Sequence, residues 1–211
     1  GIDVVGTDRN PELVATLNAG KTSFKENGLD ALFAEALKCG ITFSTEYQIT
    51  DTYIVSVPTP YDKFSKKVDP CYVVSAVKSI LEVCPKGAAI VIESTVSPGT
   101  IDKYIRPEIE ASGFVIGQDI HLVHAPERII PGNMIFELLH NNRTIGADSR
   151  EIGERIKEIY ASFCQDWVYG FCYWSIHRKQ QKGSFYTILA CKHLGSKSHP
   201  HFLCIQWHSR T

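Results

Sequence analysis

Short apolar strands alternating with amphipathic helices predict an α/β fold, a doubly wound and mostly parallel sheet with helices on both faces. Two further observations agree. Runs such as "AAIVI" are apolar at every position, the pattern of strands buried on both faces. The unusual polar residues gather where the strands end, and in such sheets ligands sit beyond the carboxyl ends.

The elements follow in order. Ile2 to Thr7 reads as a buried strand, and Pro11, with Asn10 as cap, starts a helix that runs to Asn18 and stops at Gly20. A second helix spans Leu29 to Lys38 before Gly40, and "ITFST" after it is a short strand. "TYIVSV" (52–57) is a strand broken by Pro58 and Pro60, after which Tyr72, Val73, Ala76, Val77, Ile80, Leu81 and Val83 keep helical spacing. "AAIVIEST" (88–95) is a strand, and Pro98-Gly99-Thr100 opens a helix through Glu110. "DIHLVHAP" (119–126) and "RTIGA" are strands around the short helix "NMIFELLH", and Ser149 caps a last helix reaching Phe163.

Composition narrows the function classes. A net charge of −1 gives no electrostatic case for nucleic acid or an anionic membrane. No apolar run approaches the roughly 20 residues of a membrane span and no signal-peptide pattern opens the sequence, so a cytoplasmic setting is expected. Seven cysteines without regular spacing read as reduced thiols rather than a disulfide framework. The charge is uneven. Residues 1–165 carry 16 Lys+Arg against 22 Asp+Glu, a net of −6, and residues 166–211 carry six against one, a net of +5. The second stretch also holds all three Trp and five of the eight His, which divides the chain at about residue 165.

Four strand ends carry candidate chemistry, each with two readings. Asp8 closes the first strand, either as a solvated turn acid or as the acid that accepts hydrogen bonds from an adenosine ribose. The prolines of "VPTP" either end a strand or fix a rigid loop whose Thr59 lines a cofactor. Ser94 and Thr95 either cap the following helix or place Thr95 beside a water or a nicotinamide. In "APERIIPGN", Glu127 and Arg128 form a surface ion pair, or Arg128 grips a phosphate or carboxylate.

Taken in order, "VVGTDRNPELVATLNAG", "IVSVPTPYDK", "IVIESTVSPGT", "VHAPERIIPGN" and "FELLHNNRTIGA" resemble the UDP-glucose/GDP-mannose dehydrogenase family over residues 1 to about 165. The resemblance implies a Rossmann-type domain that uses NAD. It implies two-step oxidation of the C6 hydroxyl of a UDP-sugar to a carboxylate, supplying uronic acids for surface polysaccharide. It assigns Asp8 to the adenosine ribose and Thr59 and Thr95 to NAD near the nicotinamide. Arg128 and Ile129 begin the sugar-nucleotide site, with Glu127 beside the reacting centre, so that Glu127 and Thr95 are the catalytic candidates. In the UDP-glucose branch a second acid follows the Pro-Glu pair four residues later. Pro131 stands there in this sequence, which fits the N-acetylmannosamine branch better.

The departures set further expectations. The family's first strand and glycine loop are missing before Ile2, because only seven residues precede Asp8 where about 20 separate the loop from that acid. In a sheet of order 3-2-1-4-5-6 the first strand lies between "IDVVGT" and "TYIVSV". The expectation is therefore two central strands each with an unpaired edge, or direct pairing of the two with altered crossover geometry, and in either case an aggregation-prone or molten chain. "SFYTILA" (184–190) is the best tail candidate for the gap, with no evident reason to find it.

Residues 166–211 are expected to be an irregular tail, with the composition of a shifted reading frame. The family's relay Lys, its nucleophilic Cys and the region through which its members form homo-oligomers are not recognisable there. Cys191 has neither the glycine-rich approach nor the following Lys-Asp of that nucleophile. Cys172, Cys191, Cys204, His193, His199 and His201 match no metal-ligand spacing, so no metal is expected. The polypeptide itself is then expected to be inactive. Two rival readings are a non-catalytic remnant that serves as an interaction fragment, and a Rossmann dehydrogenase of the β-hydroxyacid type, against which "APERIIPG" argues.

Overall fold

A computed structural model describes residues 2–64, 67–127, 129–164, 168–173 and 204–209. The strands are β1 (Ile2–Thr7), β2 (Thr42–Ser44), β3 (Thr52–Val55), β4 (Tyr61–Asp62), β5 (Lys67–Val68), β6 (Ala88–Ile92), β7 (Ile120–His124), β8 (Arg143–Ala147), β9 (Val168–Tyr173) and β10 (Cys204–Ser209). The helices are α1 (Pro11–Asn18), α2 (Leu29–Lys38), α3 (Cys71–Leu81), α4 (Arg106–Ala111), α5 (Met134–His140) and α6 (Arg150–Ala161).

Eight strands form one sheet in the order β2-β1-β10-β3-β6-β7-β8-β9, and β4 pairs with β5 in a small hairpin that the sequence reading did not separate. The pairs β1–β2, β3–β6, β6–β7 and β8–β9 are parallel. The α/β class and the mostly parallel sheet stand as expected. β8 runs antiparallel to β7, so β8 begins where β7 ends.

Strand β6 shows why the sheet is doubly covered. Ala88, Ile90 and Ile92 point into a core with Val73, Val77 and Ile80 of α3 and Ile105 and Ile109 around α4. Ala89 and Val91 join Val123, Ile145 and the α6 residues Ile152, Ile156 and Tyr160 on the other face. All five β6 residues are buried, as a period of two demands of a strand with helices on both sides. Leu13, Val14 and Leu17 of α1 pack with Phe43 of β2 in a smaller cluster. Asn10 caps α1 by accepting the amides of Glu12 and Leu13. The segment after Pro98-Gly99-Thr100 differs in detail, since Ile101–Ile105 is a π-helical turn before Arg106–Ala111.

The gap predicted between β1 and β3 is filled. β10 lies there antiparallel to both neighbours, with Trp207 opposite Val4 on one side and Thr52 on the other. This corrects the expectation of open central edges, because residues 204–209 form a strand that pairs with both of them. Residues 168–173 add a further strand at the far side of the sheet. The reason is the hydrogen-bonding demand of a central slot. Backbone N–H and C=O groups on two facing edges accept any extended segment that reaches them, in either direction. "CIQWHS" supplies Cys, Ile and Trp without the alternation that would have advertised a strand. The candidate "SFYTILA" lies outside the described residues.

Candidate active site

The carboxyl ends of β3, β6 and β7 are laced together. The Glu93 and Ser94 amides donate to the Val55 carbonyl, at 2.9 and 3.1 Å, and the Glu127 amide donates to the Glu93 carbonyl at 3.0 Å. Thr95 Oγ1 donates to the Glu127 carbonyl at 3.2 Å. Ser94 Oγ ties this edge to the "VPTP" loop through Val57, so Thr59 stands on the same edge in a half-buried position. The structure thus brings Thr95 and Glu127 into contact and places Thr59 on the neighbouring strand end. Ile129 is half-buried after them, and Arg128 lies outside the described residues.

Asp8 closes β1, where its amide donates to the Ser44 carbonyl at 3.2 Å and its Oδ1 accepts the Asn10 amide at 2.7 Å. This geometry orders the turn into α1 and keeps the carboxylate at the carboxyl edge. It therefore satisfies the turn reading without removing the ribose reading.

Behind Glu127 is a buried polar cluster that sequence reasoning missed. Arg143, only 2% exposed, opens β8 and reaches back to the ends of β6 and β7. Its Nη1 lies 3.5 Å from Glu93 Oε1 and is also in ion-pair contact with Glu127 Oε2. Tyr160 of α6 donates its hydroxyl to Glu93 Oε1 at 3.2 Å, and its ring lies 4.9 Å from the guanidinium carbon. Burial pushes the Glu93 carboxyl up, partly offset by Arg143 and by hydrogen bonds from Tyr160 and Ser56. Burial and the Glu93 carboxylate push the Tyr160 phenol well above its usual range. At the end of β7, burial pushes the His124 imidazole down to about 4. Signals for this cluster were present. Glu93 directly precedes Ser94, Arg143 is the one charge opening an otherwise uncharged strand, and Tyr160 continues the buried stripe of Ile152 and Ile156 at helical spacing.

NAD fits this edge in part. Asp8 and the pair Thr59 and Thr95 stand at strand ends on either side of β10. A dinucleotide's pyrophosphate needs a glycine loop and a helix N-terminus leading out of the strand between them. β10 runs the other way, with Cys204 at the end where Thr7 closes β1, so among the described residues no helix leads out of that strand end. Among the described residues there is no cluster of His, Cys, Asp or Glu able to hold a metal ion. No helix among them is long and apolar enough to cross a membrane.

Residues 1–164 match the model of the NAD binding domain of the UDP-glucose/GDP-mannose dehydrogenase family. A UDP-N-acetyl-D-mannosamine dehydrogenase of Methanococcus aeolicus is 40% identical over 172 residues, which cover 80% of this chain and 38% of that protein. The enzyme of the same name from Escherichia coli K12 is 33% identical over 170 residues, covering 77% and 40%. Among solved structures, the UDP-N-acetyl-mannosamine dehydrogenase of Staphylococcus aureus superposes with a TM-score of 0.74 at 40% identity, covering 80% of this chain and 41% of that one. The chain therefore spans about two fifths of the length of these relatives.

Proposed function

The chain belongs to the UDP-glucose/GDP-mannose dehydrogenase family, and from that premise we propose that it serves NAD-dependent oxidation of a UDP-sugar C6 hydroxyl, that of UDP-N-acetyl-D-mannosamine, to the carboxylate. The observation that carries this reading is the contact of Thr95 with Glu127 at adjoining strand ends. Residues 1–165 are the cofactor-binding unit, and residues 168–173 and 204–209 add strands to its sheet.

NAD, when bound, accepts the hydride that leaves C6. The chain's own residues hold the reactants in place. Asp8 binds the adenosine ribose, and Thr59 and Thr95 face the nicotinamide end. Glu127 sits beside C6, where its carboxylate orders a hydroxyl or a water, and Arg128 and Ile129 begin the sugar-nucleotide contact. The name carried by the relatives supports the N-acetylmannosamine form of the sugar, as does Pro131 in place of a second acid.

The test is a titration of the isotope-labelled 211-residue polypeptide followed by amide NMR. UDP-N-acetyl-D-mannosamine is expected to shift Glu127 and Ile129, and NAD to shift Asp8, Thr59 and Thr95. With no helix N-terminus at the Cys204 end of β10 among the described residues to meet the pyrophosphate, NAD affinity is expected to be no tighter than millimolar, about −4 kcal/mol. No NADH production is expected from this polypeptide alone. Sugar-nucleotide shifts confined to residues away from the strand ends would refute the assignment.

A further inference from the structure

Glu93 and Glu127 come from different strands, yet their carboxylates converge on one nitrogen of one buried arginine. We propose that Arg143 positions Glu127 at the carboxyl edge of the sheet and couples it to Glu93, making Glu93 a second acid of the same site. This rests on the reading of Glu127 as the acid beside the sugar's C6, and it names the group that holds that acid in place.

Topology makes the arrangement possible. Because β8 is antiparallel to β7, its first residue lies beside the chain leaving β7, and Arg143 is that residue. The backbone of Glu127 is fixed independently by the Glu93 carbonyl and by Thr95. With the backbone held on both sides, the guanidinium decides where the Glu127 carboxylate points. Tyr160 packs its ring against the same guanidinium, which keeps Arg143 from swinging away.

Charge balance gives the pair its chemistry. One guanidinium neutralises one carboxylate, and a second ionised carboxylate in a buried cluster costs too much to remain unpaired. Glu93 has the less exposed side chain, 13% against 21% for Glu127. The groups facing it are Ser56 beyond β3, Glu127 beyond β7, Arg143 of β8 and Tyr160 of α6, with Cys164 close to that tyrosine. Arg143 is the one cation among them. Burial therefore raises the Glu93 carboxyl, with Arg143 offsetting part of that rise, while the more exposed Glu127 faces the edge. The N-acetylmannosamine-type sequence has Pro131 where the other branch has an acid, and Glu93 brings a second carboxyl to the site from a neighbouring strand.

The experiment follows the side-chain carboxyl 13C shifts of the labelled 211-residue polypeptide against pH, with no ligand present. Its outcome is thus independent of whether the sugar-nucleotide reading holds. In the native chain the Glu93 carboxyl titrates above the ordinary glutamate range. Glu127→Gln frees the guanidinium for Glu93 and is expected to lower that midpoint by about half a pH unit or more. Arg143→Met is expected to raise it by a similar amount. A Glu93 midpoint that is unchanged or raised in Glu127→Gln overturns the coupling, as does an unchanged midpoint in folded Arg143→Met. If Arg143→Met fails to fold, the Glu127→Gln result decides alone.

Discussion

Ser94 is bound twice to Val57: its Oγ accepts the Val57 amide at 2.8 Å and donates to the Val57 carbonyl at 2.8 Å. One buried hydroxyl thereby sets the distance between the "EST" strand end and the "VPTP" loop. Ser94→Ala leaves the Val57 amide and carbonyl without this partner inside the protein. The expected cost is about 1–3 kcal/mol, read as a lower urea midpoint with an unchanged slope. A midpoint equal to that of the native chain would show that water replaces the hydroxyl and that the link does not define the edge.

Glu26 holds the loop that follows the "PER" motif, from more than a hundred residues away in sequence. Its carboxylate accepts the Gly132 amide at 2.9 Å and the Met134 amide at 3.3 Å, while Glu137 accepts the Ile130 amide at 2.8 Å. Gly28 packs closely behind, where an added Cβ would lie 3.3 Å from the Ile135 side chain. Glu26→Ala is expected to speed hydrogen exchange at Gly132 and Met134 by about tenfold, the equivalent of one lost charge-assisted bond. The exchange of Ile130 should change less, because its acceptor remains. Equal acceleration along the whole segment would mean general unfolding rather than loss of a local clamp.

Much of this was legible in the sequence, and the exceptions share a cause. Helix limits such as Pro11–Asn18 and Leu29–Lys38 are set by local signals: a proline at the first turn, an asparagine cap, a following glycine. The candidate strand ends were likewise visible as local motifs. Arg143 and Tyr160 were not singled out, because each acts across the sheet on the same distant partner, Glu93, which lies 50 and 67 residues away in sequence. β10 was missed for the same reason. Its place is decided by the two strand edges that need it rather than by its own pattern.

His124 makes stability depend on pH in a direction that can be worked out. Its folded pKa, about 4, lies below the ordinary 6.5, so the unfolded chain binds the extra proton between these values. Its contribution is therefore complete above about pH 6.5 and is lost as pH falls towards 4, at most about 3 kcal/mol. Glu93 acts with opposite sign, since its raised folded pKa makes its contribution present at low pH and lost as pH rises through that pKa. Comparing His124→Asn with the native chain isolates the histidine. The variant is expected to lose less stability between pH 6.5 and 4, measured by urea denaturation at each pH. Parallel curves would show that the imidazole is not buried neutral.

The last expectation concerns the strand that completes the sheet. β10 pairs along six residues with β1 and along three with β3, so it is a central strand with a neighbour on each side. A proline at such a position removes a donor that one neighbour needs and fixes φ near −65°, away from extended values. Trp207→Pro therefore acts on the backbone between Val4 and Thr52 whatever the side chain does. Losing the strand exposes two apolar edges at once, and open edges recruit other chains. The native polypeptide is expected to unfold in one cooperative transition as a monomer. Trp207→Pro, and a chain ending at residue 203, should lose that transition and sediment as larger species. Were the truncated chain to stay monomeric with an unaltered melting curve, β1 and β3 would not depend on β10, and the open-edge argument would fail.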